Sequence, residues 1–218
     1  MPQVTNVDRK GRRLSIHFDD ETLLQCDRDF RLAKGFDVGQ EIEGLILERV
    51  RLEAARHEAD LAARRWLRRP RSRAEIAKRL RKIEIPREII DETLDEMERR
   101  GFLDDRAYAG AWTADRVRGR PRSARMVRSE LRAQGIDSEV AREATADLDD
   151  ALLALEFAAK RAPRYADFEG FSGKEGAALQ RRGFGYSIAQ QALRDAWAEH
   201  TGLEDEGERQ RSGVDSGI

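Results

Sequence analysis

The tetrapeptide Arg69-Pro70-Arg71-Ser72 returns as Arg120-Pro121-Arg122-Ser123, 51 residues later. An arginine-rich chain can repeat four residues by accident, so the test is whether apolar positions keep the same offset. They do: Leu80 maps to Leu131, Ile85 to Ile136 and Ile89 to Val140. A third copy lacks the Pro-Arg-Ser element but sets Leu179, Phe184, Ile188 and Leu193 against Leu80, Ile85, Ile89 and Leu94. Self-similarity at such a period means one supersecondary unit used several times, each copy burying a narrow apolar stripe.

The unit reads as helical. Ser72-Arg73-Ala74-Glu75 is a capping box, in which hydroxyl and carboxylate satisfy each other's backbone amides, and Ile76, Leu80 and Ile83 follow on one face. Pro86 suits the start of the next helix, whose stripe is Ile89, Ile90, Leu94 and Met97, with Gly101 placed to close it. Asp105 is expected to N-cap a further helix carrying Tyr108, Ala111 and Trp112. Short turns such as Gln134-Gly135-Ile136-Asp137 and Arg182-Gly183-Phe184-Gly185 join the second and third helices. Lys82-Ile83-Glu84-Ile85 holds the same place without a glycine, and Pro163 to Gly173 reads as a lengthened connection in the third copy. Before the helices, Leu14, Ile16 and Phe18 alternate as in a strand, between turns at Asp8 to Arg13 and Asp19 to Glu21.

The expected fold is therefore mainly α, with three tandem three-helix repeats in an elongated array behind a small N-terminal β-hairpin-rich unit. The boundaries read as 1–50 for the β unit, 51–104, 105–149 and 150–201 for the repeats, and 202–218 for a disordered acidic tail. Helices of about 12 residues span roughly 18 Å, and three such units in a row extend on the order of 60 Å.

Hydrophobic residues make up 39% and charged residues 38% of the chain, which suits thin helical modules better than one thick globule or a disordered chain. Cys26 stands alone and His17, His57 and His200 lie far apart, so neither a disulfide nor a metal site is expected. With no phosphate-cradling glycine loop, nucleophile elbow or metal cluster, the chain is not expected to be an enzyme, and no cofactor is implied. No leader or membrane span is read, so the cytoplasm is the expected compartment.

Charge follows the helices. Residues 64–82 hold ten basic and one acidic residue, and 116–132 seven and one; residues 84–105 reverse this with nine acidic and three basic, and 137–150 with six and one. A helix-turn-helix reading would drive the third helix into the major groove. That helix carries Glu88, Asp91, Glu92, Asp95, Glu96 and Glu98, and these would face phosphates. Trp66, Tyr108, Trp112 and Trp197 sit at helical spacing among Leu and Ala, as core anchors do.

The run from Arg100 to Ala109, Arg118-Gly119-Arg120-Pro121, Leu131 to Ile136, Trp66 to Ser72 and Leu179 to Phe184 together resemble the RecX family of recombinase regulators, over about residues 55–197. The resemblance implies a regulator that binds the RecA nucleoprotein filament along its groove. It also implies modulation, chiefly inhibition, of recombinase, ATPase and co-protease activity in DNA repair, recombination and the SOS response. The alternative is a sequence-independent binder of single- and double-stranded DNA using the same basic helices. The residues expected to make these contacts are Arg68, Arg69, Arg71, Arg79 and Lys82 in the first repeat, Arg118, Arg120, Arg122, Arg125, Arg128 and Arg132 in the second, and Arg181 and Arg182 in the third. A monomer is expected.

Overall fold

The computed structural model describes residues 1–21, 23–27, 30, 35–118 and 120–202. The expected acidic tail lies, from residue 203 onward, outside the described residues. The chain divides into two compact units, Met1–Asp105 and Arg106 onward.

In the first unit, β1 (Val4–Lys10), β2 (Arg13–Phe18) and β3 (Leu23–Asp27) form an antiparallel meander in the order β1-β2-β3. The register pairs Leu14 with Cys26 and Ile16 with Leu24, so the alternating apolar residues fall on one face. A three-stranded sheet needs a second layer to bury that face. α1 (Gly44–Trp66) supplies it through Leu47, Val50 and Ala54, together with Phe30, Phe36 and Ile42. The second half of α1 serves a different core. Ala59, Ala62 and Ala63 pack with Ile76 and Leu80 of α2 (Arg73–Lys82) and Ile89, Ile90, Leu94 and Met97 of α3 (Arg87–Arg99).

The second unit holds two further three-helix groups. α4 (Asp105–Val117, its first residue in the first unit), α5 (Ala124–Ala133) and α6 (Ser138–Glu143) enclose Ala109, Val127, Leu131, Ile136 and Ala141. α7 (Asp150–Ala159), α8 (Phe168–Arg181) and α9 (Tyr186–Thr201) enclose a larger core around Phe157, Phe171, Leu179, Phe184 and Leu193. The fold is thus mainly helical, with three three-helix repeats behind a small antiparallel sheet. Trp66, Tyr108, Trp112 and Trp197 all pack against these cores.

The turn between second and third helices is the same in all three groups. Ile85 N–H donates to the Leu80 carbonyl at 3.3 Å, Ile136 to Leu131 at 3.0 Å and Phe184 to Leu179 at 3.2 Å. This is the six-residue closure of a Schellman cap, with its apolar pair buried. The residue before each donor is left-handed: Gly135 at φ 80°, Gly183 at φ 89° and, in the copy without a glycine, Glu84 at φ 61°.

The other ends of these helices are also matched. Fully buried Ser72 and Ser123 accept from Glu75 N–H and Met126 N–H at 3.2 Å. Each cap is completed by a carboxylate from the next helix group: Asp105 Oδ1 accepts from Arg73 N–H at 2.8 Å, and Asp150 Oδ1 from Ala124 N–H at 2.7 Å. Asp105, expected to cap α4, therefore sits inside its first turn and caps α2 instead. The stretch expected as a lengthened connection, Pro163 to Gly173, is a 3-10 turn at Ala162–Arg164 followed by the first residues of α8. Asp167 Oδ1 accepts from Gly170 N–H at 2.7 Å, which starts that helix early.

Candidate partner-binding surface

Each helix group clasps one carboxylate of its second helix beside an aromatic ring. Glu75 is held by Arg71 and by Arg79 at 3.1 Å, and the Arg79 guanidinium stands 5.7 Å from the Trp66 ring. Arg71 also donates to the Trp66 carbonyl at 3.2 Å. Glu130 takes Arg122, Arg116 at 2.8 Å and the Trp112 indole N–H at 3.2 Å, with Arg116 4.0 Å from that ring. Glu175 takes Arg161 at 3.5 Å and the Tyr165 hydroxyl at 2.7 Å, with Arg161 3.5 Å and Arg182 4.5 Å from the Phe157 ring. The three carboxylate side chains are 27%, 18% and 11% exposed, so screening by water weakens along the series. Burial first, then the charges of Arg161 and Arg181, holds the Arg182 pKa below its ordinary value.

Of the residues expected to meet a partner, several are thus occupied within the chain. Arg71 and Arg79 serve Glu75, and Arg122 serves Glu130. Arg128 donates to the Ala124 carbonyl at 3.2 Å, Arg182 to Ala178 at 2.8 Å and Arg125 to Gly183 at 3.2 Å. The acidic third helix of the first repeat is likewise engaged: Glu92 by Arg56 at 3.0 Å, Asp95 and Glu98 by Arg73 at 2.7 and 2.9 Å.

The remaining candidates, Arg68, Arg69, Lys82, Arg118, Arg120, Arg132 and Arg181, are exposed and have no carboxylate partner among the described residues. Arg81 joins them; sequence reasoning passed over it, although the 51-residue offset aligns it with Arg132. These cations recur at matching places: Arg69 with Arg120, Arg81 with Arg132, and Lys82 with Arg181. Exposed guanidinium and ammonium groups without an internal partner are available to carboxylates or phosphates at little cost in desolvation. The described residues hold no cluster suited to a metal ion, and none of their helices is long and apolar enough to cross a membrane.

Two family models match, the RecX first three-helix domain over residues 67–97 and the RecX second three-helix domain over residues 104–144. The Regulatory protein RecX of Streptomyces coelicolor is 33% identical over 144 residues, covering 64% of this chain and 73% of that protein. The chain belongs to the RecX family. The Regulatory protein RecX of Geobacillus kaustophilus is 28% identical over 196 residues, 87% of this chain and 70% of that RecX. A crystal structure of regulatory protein RecX superposes with a TM-score of 0.60 at 19% identity, covering 89% of this chain and all of the other, a likeness of fold.

Proposed function

We propose that this chain is a non-catalytic regulator that binds the RecA nucleoprotein filament along its groove. There it restrains recombinase, ATPase and co-protease activity in DNA repair and the SOS response, acting in the cytoplasm as a monomer. The relatives' names support a regulatory role. The observation that carries the reading is the recurrence, at matching positions of the repeats, of exposed cations with no carboxylate partner among the described residues. A filament presents the same surface again and again, and a chain that repeats its own contacts gains affinity by engaging several at once, each of them modest.

The test is ATP hydrolysis by RecA assembled on single-stranded DNA, titrated with wild-type protein and with Arg69→Glu/Lys82→Glu. Wild type is expected to inhibit, and the double variant to need roughly tenfold more protein, equivalent to about 1.4 kcal/mol, with unchanged circular dichroism. If saturating wild type leaves hydrolysis untouched, or binds free RecA as tightly as the filament, the proposal is wrong. Capture from a lysate that disappears on nuclease treatment would point to the alternative, direct sequence-independent nucleic-acid binding.

A further inference from the structure

Two depressions in the first unit meet at Ile83, the smaller of them over the clasped Glu75. The larger, about 550 Å³, runs between the β2–β3 side of the sheet and the second half of α1, bordered by Arg12, Arg13, Arg64, Arg65 and Arg68. Its two carboxylates are already engaged, Asp27 by Arg12 at 3.8 Å and Glu58 by Arg13 at 3.3 Å. Arg64 is held by Asp60 at 2.8 Å. Arg65 and Arg68 are exposed without a carboxylate partner among the described residues, so the border keeps an excess of positive charge. Between the arginines lie the apolar side chains of Leu61, Ala62 and Ile83.

The smaller depression, about 450 Å³, is lined by Trp66, Glu75, Lys78, Arg79, Lys82 and Ile83, and the charge of Glu75 is already met by Arg71 and Arg79. Both volumes fall in the range of ligand sites, about 300–1,000 Å³.

We propose that the two depressions form one groove for a single-stranded polynucleotide, with phosphates on Arg12, Arg65 and Arg68 and one base in the recess beside Trp66. Guanidinium forks match phosphate oxygens, and a cationic track leading to an aromatic recess is how proteins hold unpaired strands. A duplex keeps its bases stacked and has nothing to place beside the indole. An acidic peptide would answer the arginines and leave the recess empty. The β unit thereby gains a role, since it supplies Arg12 and Arg13. The inference does not need the filament reading, and its test contains no RecA.

The test is fluorescence anisotropy of a labelled oligothymidylate with full-length protein, across a salt series, beside an oligouridylate and a duplex of equal length. Arg12 is 83% exposed and Arg65 is exposed, so Arg12→Glu/Arg65→Glu should fold normally. Neither residue belongs to the surface assigned to the filament. Wild type should prefer single strands to duplex; thymidylate or uridylate binding more tightly assigns DNA or RNA. Each arginine on a phosphate carries about 0.7 of the log–log salt slope for a single strand, so the double variant should bind at least tenfold more weakly with a slope shallower by about 1.4. Tryptophan quenching by the oligonucleotide should be lost in Trp66→Phe. Unchanged affinity and slope in the double variant, equal binding of duplex and single strand, or quenching that persists in Trp66→Phe would each overturn the proposal.

Discussion

Replacing Gly183 by alanine probes the closest glycine contact among the described residues of the second unit. At φ +89°, a Cβ on this residue would stand 2.5 Å from Ser123 Oγ and 2.8 Å from Met126 Cβ. Both neighbours belong to the buried start of α5, where Ser123 N–H also donates to the Arg182 carbonyl at 3.0 Å and Arg125 to the Gly183 carbonyl at 3.2 Å. Neither neighbour is the far end of a flexible chain, so the turn itself must move. The left-handed conformation costs an alanine about 1–2 kcal/mol, and forcing atoms into a packed site about 1–3 kcal/mol. Gly183→Ala should therefore destabilise the second unit by about 2–5 kcal/mol. Gly101→Ala is the control: its φ is +71°, but nothing lies within 4 Å of the added carbon. It should cost about 1–2 kcal/mol in the first unit. Urea unfolding followed by tryptophan fluorescence measures both, with Trp66 reporting the first unit and Trp112 and Trp197 the second. If Gly183→Ala costs no more than Gly101→Ala, the close packing of the α8–α9 turn on α5 is not an energetic contact and the argument fails.

Glu84 occupies, at φ 61°, the position where the other two turns carry glycine, so Glu84→Gly should raise the urea midpoint of the first unit by the equivalent of about 0.5–1 kcal/mol. No change would mean the turn is unstrained. Burial, opposed by the Arg73 N–H and reinforced by Glu98, raises the Asp105 pKa above the ordinary carboxylate value. In the window just above that value the folded state holds the proton more tightly than the unfolded state, so this contribution to stability grows as pH falls and is lost as pH rises. Asp105→Asn, which keeps an oxygen for the Arg73 N–H, should flatten that slope; parallel stability–pH curves for the two proteins would refute the assignment.

The repeat register was legible because each turn is built on a Leu five residues before a buried Ile or Phe, and burial holds that spacing. The left-handed residue at Glu84 was not, since glycine is the usual signature and the surrounding hydrogen bonds enforce the conformation without it. Asp105 reads from sequence as a cap for its own helix; its true partner, Arg73 N–H, is 32 residues away and becomes visible only once α2 and α4 are placed. The partner surface was legible as a concentration of arginine but not in detail. Arg71 and Arg81 look alike in the chain, yet only Arg71 finds Glu75. Arg116 reaches Glu130 across 14 residues, a pairing no local spacing announces.

The carboxylates of Asp105 and Asp150 cap amides that precede them by 32 and 26 residues. A ribosome adds about 5–20 residues per second, so α2 and α5 emerge at least about a second before their last N-terminal partner exists. Dependence therefore runs in one direction along the chain. A fragment cut before residue 105 or 150 would keep every residue of its own core and still lack a hydrogen bond. The first and second three-helix groups are each finished by the residue that opens the next, so during synthesis the last cap of each waits for the start of its successor.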